Sequence, residues 1–506
     1  IDSIEKMEAE KKADKKPVLI INEDNDHYFK QTADLMTREA LIAYIDKMRD
    51  TYVTHFYMCP QGQRTSYASD VHERIWEGMA DGSPVDYGPG EDGIRWTSNC
   101  KKLYDAGIDP YTVWITRCRE VGISPWITMR MNDVHFVSRP HYFRNFNFWR
   151  EHQELWRVPF CKTGNWTDCA FNYARKETRD FYMACAKELL DRYDMDGFEL
   201  DWMRFCLHLT PGKEVEEAHF LTDFVREVRE YADEVGKKRG KRILISVRVP
   251  ATPEGSNALG MRAVDWAKSG LVDQIVASCF FSSSDFNISA NSWKEAIGNP
   301  DFPVYVATDS GVSPGHGVAR TELNPECYNG WANNMLANGA DGLYLFNLVY
   351  YPAFFDRIIA QGLEAEKILN LPRRHVISHR DFMATGKLGL DREMQLPRTL
   401  IQNKPQDFQI QLGNPPTKEG TVSIIVAFFA GDGLSEAEFH VELNGTPAVK
   451  AEECPLPKRY GNLVRAVRFQ VPISAIKAGI NTITLSGKSE KPQRAGWLEV
   501  EYTPTK

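Results

Sequence analysis

The 506-residue chain has no run of 18 apolar residues, so no stretch has the length and character of a membrane-crossing helix. It also lacks an excess of positive charge. Lys and Arg number 61 against 69 Asp and Glu, a net −8, and nucleic acid is not an expected partner because phosphate binding needs a basic surface. No GxGxxG or GxxxxGK[ST] follows a strand-like run, which argues against a nucleotide site. The ten cysteines form no CxxC and no Cys/His ladder, so a structural zinc site is not expected. Cys161 and Cys169, flanking a polar loop, are the one pair considered for a local disulfide. Cys185, Cys206 and Cys279 lie in apolar surroundings and read as buried thiols. The sequence opens on Ile1, not Met, and runs into "EKMEAEKKADKK". This reads as a start left by a removed leader, with export to the periplasm or the outside as the expectation.

What is present is an ordinary globular balance, 42% apolar and 26% charged, somewhat rich in Trp and Tyr. From Pro17 to about Leu371, short β-branched or aromatic runs alternate with longer amphipathic stretches. The strand candidates are 17–24, 53–60, 124–133, 196–205, 242–250, 272–280, 302–310 and 341–348. Helical spacing marks 37–51, 178–193 and 216–238. Eight such units predict a (β/α)8 barrel, with a doubly wound sheet as the alternative. Two long aromatic loops, about 61–98 and 133–176, read as walls of a cleft. From Arg398 the pattern turns to short alternating strands with turns about every ten residues, an antiparallel β-sandwich. "ELNGTP" is a hairpin turn. The expected organisation is a charged segment 1–16, a barrel 17–385 and a sandwich 386–506.

Barrel sites lie at the C-terminal ends of the strands. The predicted ends carry Asp24, Asn25, Arg130, Asn132, Asp133, Glu199, Asp201, Arg204, Arg248, Asp309 and Asn347. The most informative is "DMDGFELDWMRF" (194–205). Residues two apart share a face of a strand, so Phe198, Leu200 and Trp202 point to the helices, while Glu199 and Asp201 point into the barrel. Buried carboxylates need partners, and Arg130, Arg204 and Arg248 are within reach of the same rim. The plain alternative is a salt-bridge network without catalysis. The functional one is a carboxylate pair whose pKa values are driven apart.

"DGFELDW" resembles the fourth strand of glycoside hydrolase barrels. Against the chitinase-type pattern DGxDxDxE, Asp196, Gly197 and Asp201 match, Glu199 replaces the middle acid, and Met203 stands where the catalytic acid belongs. That departure argues against chitinase-type chemistry. "DGFELDWMRF" is more similar to glycoside-hydrolase-like barrels reading DGhxhD[YW]hR[FY], with h apolar, and "GADGLYLFNL" (339–348) resembles their eighth strand. Barrels of the α-galactosidase and α-amylase type also place a nucleophilic Asp at the end of strand four, which points to Asp201. The last strands, "VPISAIKAGINTITLSG", loosely resemble galactose-binding-like jelly rolls, whose role here is expected to be bracing more than sugar binding.

The resemblance implies a glycosidase acting on a poly- or oligosaccharide, with Asp201 as nucleophile or base and Glu199 as acid or hydroxyl ligand. Glycoside cleavage usually needs a second carboxylate, and Asp309, after strand seven, is preferred among candidates that include Asp133, Asp285, Asp24 and Asp26. A catalytic reading needs that second carboxylate within about 10 Å of Asp201 across an open cleft. Asp24, Asn25, Arg130, Asn132, Asp133, Arg204, Arg248 and Asn347 are the expected sugar ligands, with Trp149 and Trp156 for stacking. Arg64, Arg130 and Arg248 would suit an acidic sugar. No cofactor or metal is called for. The alternatives are a non-catalytic carbohydrate-binding barrel and a metal-dependent hydrolase built on "NEDND" with Asp133 and His135. Substrate, stereochemistry and oligomeric state stay open.

Overall fold

The structure is a computed structural model describing residues 17–279, 283–350, 352–379, 394–454 and 460–505. The charged segment 1–16 and the expected boundary at 385/386 lie outside the described residues. Eight parallel strands close into a barrel: β1 (Val18–Glu23), β2 (His55–Gln61), β3 (Ser124–Arg130), β4 (Gly197–Asp201), β5 (Leu244–Pro250), β6 (Gln274–Ser278), β7 (Val304–Thr308) and β8 (Gly342–Leu345). Each lies inside its sequence-predicted run or within one residue of it. Helices predicted at 178–193 and 216–238 form as Lys176–Arg192 and Ala218–Arg239.

The alternation read in strand four sets the layering of the barrel. Phe198, Leu200 and Trp202 are buried in the core shared with the helices, and Trp202 packs against Phe224 and Trp266. On the inner face, register stacks three layers across β3, β4 and β5. Trp126, Gly197 and Leu244 are level; then Thr128, Glu199 and Ser246; then Arg130, Asp201 and Arg248 at the rim. Gly197 is needed in the lowest layer, because a Cβ there would stand 2.3 Å from the Trp126 indole. That indole in turn stacks on Tyr57 at 4.8 Å. At the barrel's other end Asp194 and Asp196 pair with Arg119 and Lys241, so they belong to the entry turn.

The C-terminal unit has two antiparallel sheets. One runs 373–376, 493–504, 420–428, 465–471, 449–454 in order, with 398–400 also on 493–504. The other runs 406–411, 480–487, 439–443, 446–447. Their inner faces share one core, with Ile424, Val426, Phe469 and Leu498 from the first and Ile410, Val441, Ile483 and Leu485 from the second. The result is a β-sandwich. Asn444 and Gly445 both have positive φ, as a two-residue hairpin turn of the predicted kind requires. Arg373–Val376 pairs with Arg494-bearing strand 493–504 through Tyr502, so the sandwich takes a strand from before residue 386.

The helix Pro325–Ala337 joins the two units. Asn329, Asn333 and Asn334 donate side-chain amides to the carbonyls of Pro372, Leu412 and Gln411 at 2.8, 3.1 and 3.0 Å. Gly330 lets the backbones meet, since a Cβ there would lie 2.1 Å from the Arg374 carbonyl. Cys161 and Cys169 are both free thiols, and the Cys161 Sγ sits 3.4 Å from Asp168 instead.

Candidate functional site

The rim of the barrel is a network of buried ions. Asp201 is held side-on by Arg248, Nε to Oδ1 at 2.9 Å and Nη2 to Oδ2 at 2.7 Å. Its Oδ1 also accepts the backbone amides of Met203 and Arg204. Arg248 Nη1 donates to Ser278 Oγ at 3.0 Å. Asp201 thus uses its lone pairs on the protein, and it is almost sealed. Arg130 bridges Asp24 and Asp133, the latter at 2.5 Å, and Arg144 adds a contact to Asp133 at 2.9 Å. Burial raises the Asp24 carboxyl, but Arg130 and Arg204 outweigh it and hold Asp24 well below the usual carboxylate range.

Glu199 lies one layer beneath and has no exposed surface. It accepts from Thr128 Oγ1 at 2.8 Å, Tyr344 OH at 2.9 Å and Ser246 Oγ at 3.3 Å. Burial, with the nearby Asp201 charge, pushes it up to about 7. Glu199 is thus held protonated more readily than a free glutamic acid, but it sits inside the barrel, below the rim.

His135 links the network to solvent. One ring nitrogen, Nδ1, contacts Asp133, and Nε2 lies 3.1 Å from Arg204 Nη2. Arg has no acceptor, so Nε2 must accept and the proton sits on Nδ1. Burial, reinforced by Arg144 and Arg204, lowers His135 to about 3 and keeps it neutral. The Arg204 and Arg248 guanidinium groups lie over the Phe346 ring at 5.3 and 4.5 Å.

Above this floor is an open cleft of about 710 Å³. One wall comes from the segments after β3 and β4 and includes His135, Phe136, Trp166 and Phe205. The other comes from the segments after β7 and β8 and includes Asp309, Ser310, Arg320 and Asn347. In the closed strand order these pairs of strands are diametrically placed. A smaller recess, reached at Asp309, runs down to Arg204, Arg248, Ser278, Thr308 and Phe346. Three non-glycine residues of the cleft have left-handed backbones: Phe136 at φ 55°, Phe205 at 63° and Asn347 at 61°. Asn tolerates this; bulky aromatics rarely do, and such strain persists where surrounding structure fixes it, often at ligand clamps.

Of the residues proposed from sequence, Asp309 and Asn347 face the cleft, and Arg204, Arg248 and Asp309 face the recess. Asp24, Arg130, Asp133 and Asp201 meet in the buried network below. Asn25 is buried there too. Asn132 is wholly buried and ties loops together, exchanging hydrogen bonds with the Phe171 backbone. Asp285 accepts from Ser378 in the seam with the sandwich. Trp149 is 4% exposed and stacks on Trp156 at 4.8 Å inside the long loop, away from the cleft. The sequence reading missed Phe136, Trp166, Phe205 and Arg320, and considered His135 only for a metal-dependent alternative. Phe136 and Trp166 lie in the long loop read as a cleft wall, but which of its aromatics face outward depends on strained backbone with no sequence signature. Each Arg proposed for an acidic sugar has an internal carboxylate: Arg64 with Glu73, Arg130 with Asp24 and Asp133, Arg248 with Asp201. Asp24, Asp26 and His27 bring ligand atoms within 4.8 Å of one another, close enough for a cation, but Arg130 and Lys30 already pair with the two carboxylates.

No protein-family model matches the chain, and no curated protein matches it. Solved structures similar to it include glycoside hydrolases and a glucanotransferase, each at low identity. A cycloisomaltooligosaccharide glucanotransferase from Paenibacillus sp. is 12% identical over 95% of this chain and 57% of its own length, at a TM-score of 0.34. The glycoside hydrolase domain of PgaB (BpsB) from Bordetella bronchiseptica is 10% identical over 68% and 99%, at 0.41. The catalytic domain of chitinase B from Arthrobacter TAD20 is 11% identical over 70% and 95%, at 0.39. The chain thus spans little more than half the length of the glucanotransferase.

Proposed function

We propose that the protein is a glycosidase that binds a poly- or oligosaccharide in the rim cleft and hydrolyses an O-glycosidic bond there. The observation that supports this is the composition of the two walls. Rings of Trp166, Phe136 and Phe205 suit the apolar face of a sugar, and Asp309, Ser310, Arg320 and Asn347 suit its hydroxyls. Asp309 is the carboxylate that touches substrate and acts as acid or base. Asp201, clamped by Arg248, is the second carboxylate, set in the floor. Glu199 is assigned to the barrel interior, because it has no exposed surface.

A second reading is a carbohydrate-binding barrel without turnover. It is favoured by one observation: among the described residues of the cleft and recess, Asp309 is the only carboxylate, and Asp201 is fully engaged beneath. A panel of polysaccharides incubated with wild type and Asp309→Asn separates the two. Release of reducing ends by wild type alone, with binding kept by the variant, supports hydrolysis. Binding by both with turnover by neither establishes the second reading. Binding by neither overturns both.

A further inference from the structure

We infer that Arg320 and Ser310 are positioning residues that hold Oδ1 of Asp309 and leave Oδ2 as the oxygen that exchanges a proton with the substrate or with water. The inference rests on the glycosidase reading of the cleft and assigns its chemistry to one atom. Oδ1 accepts three hydrogen bonds: from the Ser310 amide, from Ser310 Oγ at 3.0 Å and from Arg320 Nη2 at 3.2 Å. Arg320 Nη2 also donates to Ser310 Oγ at 2.9 Å, so the three side chains close a triangle. Oδ2 accepts from none of the described residues, while 15% of the side chain is exposed, at a point shared by the cleft and the recess. The Asp309 backbone is pinned as well. Ser284 Oγ accepts from its amide at 3.1 Å, and Thr308 Oγ1 donates to its carbonyl at 2.9 Å. A carboxylate fixed at its backbone and at one oxygen presents the other in a constant direction, which proton transfer requires.

Gly311 is explained by the same arrangement. Arg320 returns on a two-strand hairpin after β7, in which Gly311 pairs with Glu322 and Val312 with Thr321. Its guanidinium reaches Asp309 by crossing the Gly311 backbone: a Cβ at 311 would stand 2.2 Å from Nε and 2.3 Å from Cζ. Gly311 does not have a left-handed backbone, so the missing side chain makes room for the arginine and is not required by the turn. Any proton that Asp309 carries goes on Oδ2, because three donors already occupy Oδ1. As base, Oδ2 takes a proton from the attacking water; as acid, it gives one to the departing glycosidic oxygen. In both roles the arginine acts through Asp309. Among the described residues lining cleft and recess, the other charged side chains are Arg204 and Arg248, the latter paired with Asp201, and His135 is neutral.

The test is the pH–rate profile of wild type and three variants, read as released reducing ends on whichever of dextran, β-glucan, glycol chitin and polygalacturonate wild type cleaves. Arg320→Ala removes the cation beside a partly exposed carboxylate, so one limb of the profile should move to higher pH by about half a pH unit to one pH unit. Movement of the acidic limb makes Asp309 the base, and movement of the basic limb makes it the acid. kcat should fall about tenfold or more with KM nearly unchanged, because the reacting oxygen is misdirected while sugar contacts remain. Arg320→Lys keeps the charge and should leave the limb near its wild-type place. Gly311→Ala keeps Asp309, Ser310 and Arg320 but displaces the guanidinium, and should reproduce the shift. Thermal melting of each variant checks that the fold is intact. Wild-type limbs in a folded Arg320→Ala, or in a folded Gly311→Ala, overturn the inference and leave the glycosidase reading standing. If wild type cleaves no member of the panel, the glycosidase reading falls and this inference with it.

Discussion

Arg248 and Asp201 form a side-on ion pair, 2.9 and 2.7 Å, between adjacent strands at the same register. Both are nearly inaccessible, so each compensates the other's buried charge. Breaking such a pair from one side typically costs about 3–5 kcal/mol. Asp201→Asn should therefore lower stability by that order, measured by urea unfolding. Arg248→Met added to it should recover part of the loss, because no lone cation is left buried. A single variant as stable as wild type would contradict this account. The same reasoning means that lost turnover in Asp201→Asn does not by itself give Asp201 a chemical role.

Glu199 gives the protein a pH dependence of stability. Its folded value of about 7 exceeds the ordinary value of 4.5. The native state therefore holds a proton that the unfolded chain releases. The associated stability is fully present below about pH 4.5 and is lost as pH rises through 7. The total is about 3 kcal/mol at 1.36 kcal/mol per pH unit. Glu199→Gln should remove this slope, so the difference in unfolding free energy between variant and wild type should shift in the variant's favour from pH 5 to pH 8. A difference that stays constant over that range would refute the assignment.

Phe136 is 49% exposed, so its left-handed backbone is little repaid by burial. Phe136→Gly and Phe136→Ala remove the same ring, but only Gly relieves the strain, by about 1 kcal/mol. The Gly variant should melt higher than the Ala variant, and both should lose affinity for a bound oligosaccharide. The reverse order of melting would count against strain at this position.

Trp149 and Trp166 lie in one loop but should behave oppositely. Trp149→Ala removes a stacked, buried indole and should cost about 3–5 kcal/mol. Trp166→Ala, on the cleft wall, should change stability much less and weaken saccharide binding severalfold. Equal melting temperatures for the two variants would show the loop to be packed differently.

The architecture was readable because its signals are local. All eight barrel strands show as β-branched or aromatic runs, and the alternation of "GFELD" correctly separates the Glu199 face from the Phe198 face. Partnerships were not readable. That Asp201 takes Arg248 while Arg130, on its other side at the same register, turns to Asp24 and Asp133 depends on loops that follow other strands. The sandwich strands 373–376 and 449–454 escaped for a related reason. Arg373–Val376 reads RRHV and looks like surface, yet it is buried because Glu499 receives Arg374. Val449–Cys454 is exposed along most of its length and carries no apolar alternation.

The three asparagine amides of helix Pro325–Ala337 tie the fate of the two units together. If the chain were cut after the barrel, two of them would lose their acceptors, at Leu412 and Gln411, and turn to water instead. Each exchange of such a bond for one to water costs about 0.5–1.5 kcal/mol, and a new partner that buried the amides without acceptors would cost more. The same helix fills the connection between β7 and β8, whose ends carry Asp309 and Asn347. The barrel is therefore not a portable part: shuffling it onto another partner would demand a new set of carbonyls at those places, and heating should melt barrel and sandwich in a single step.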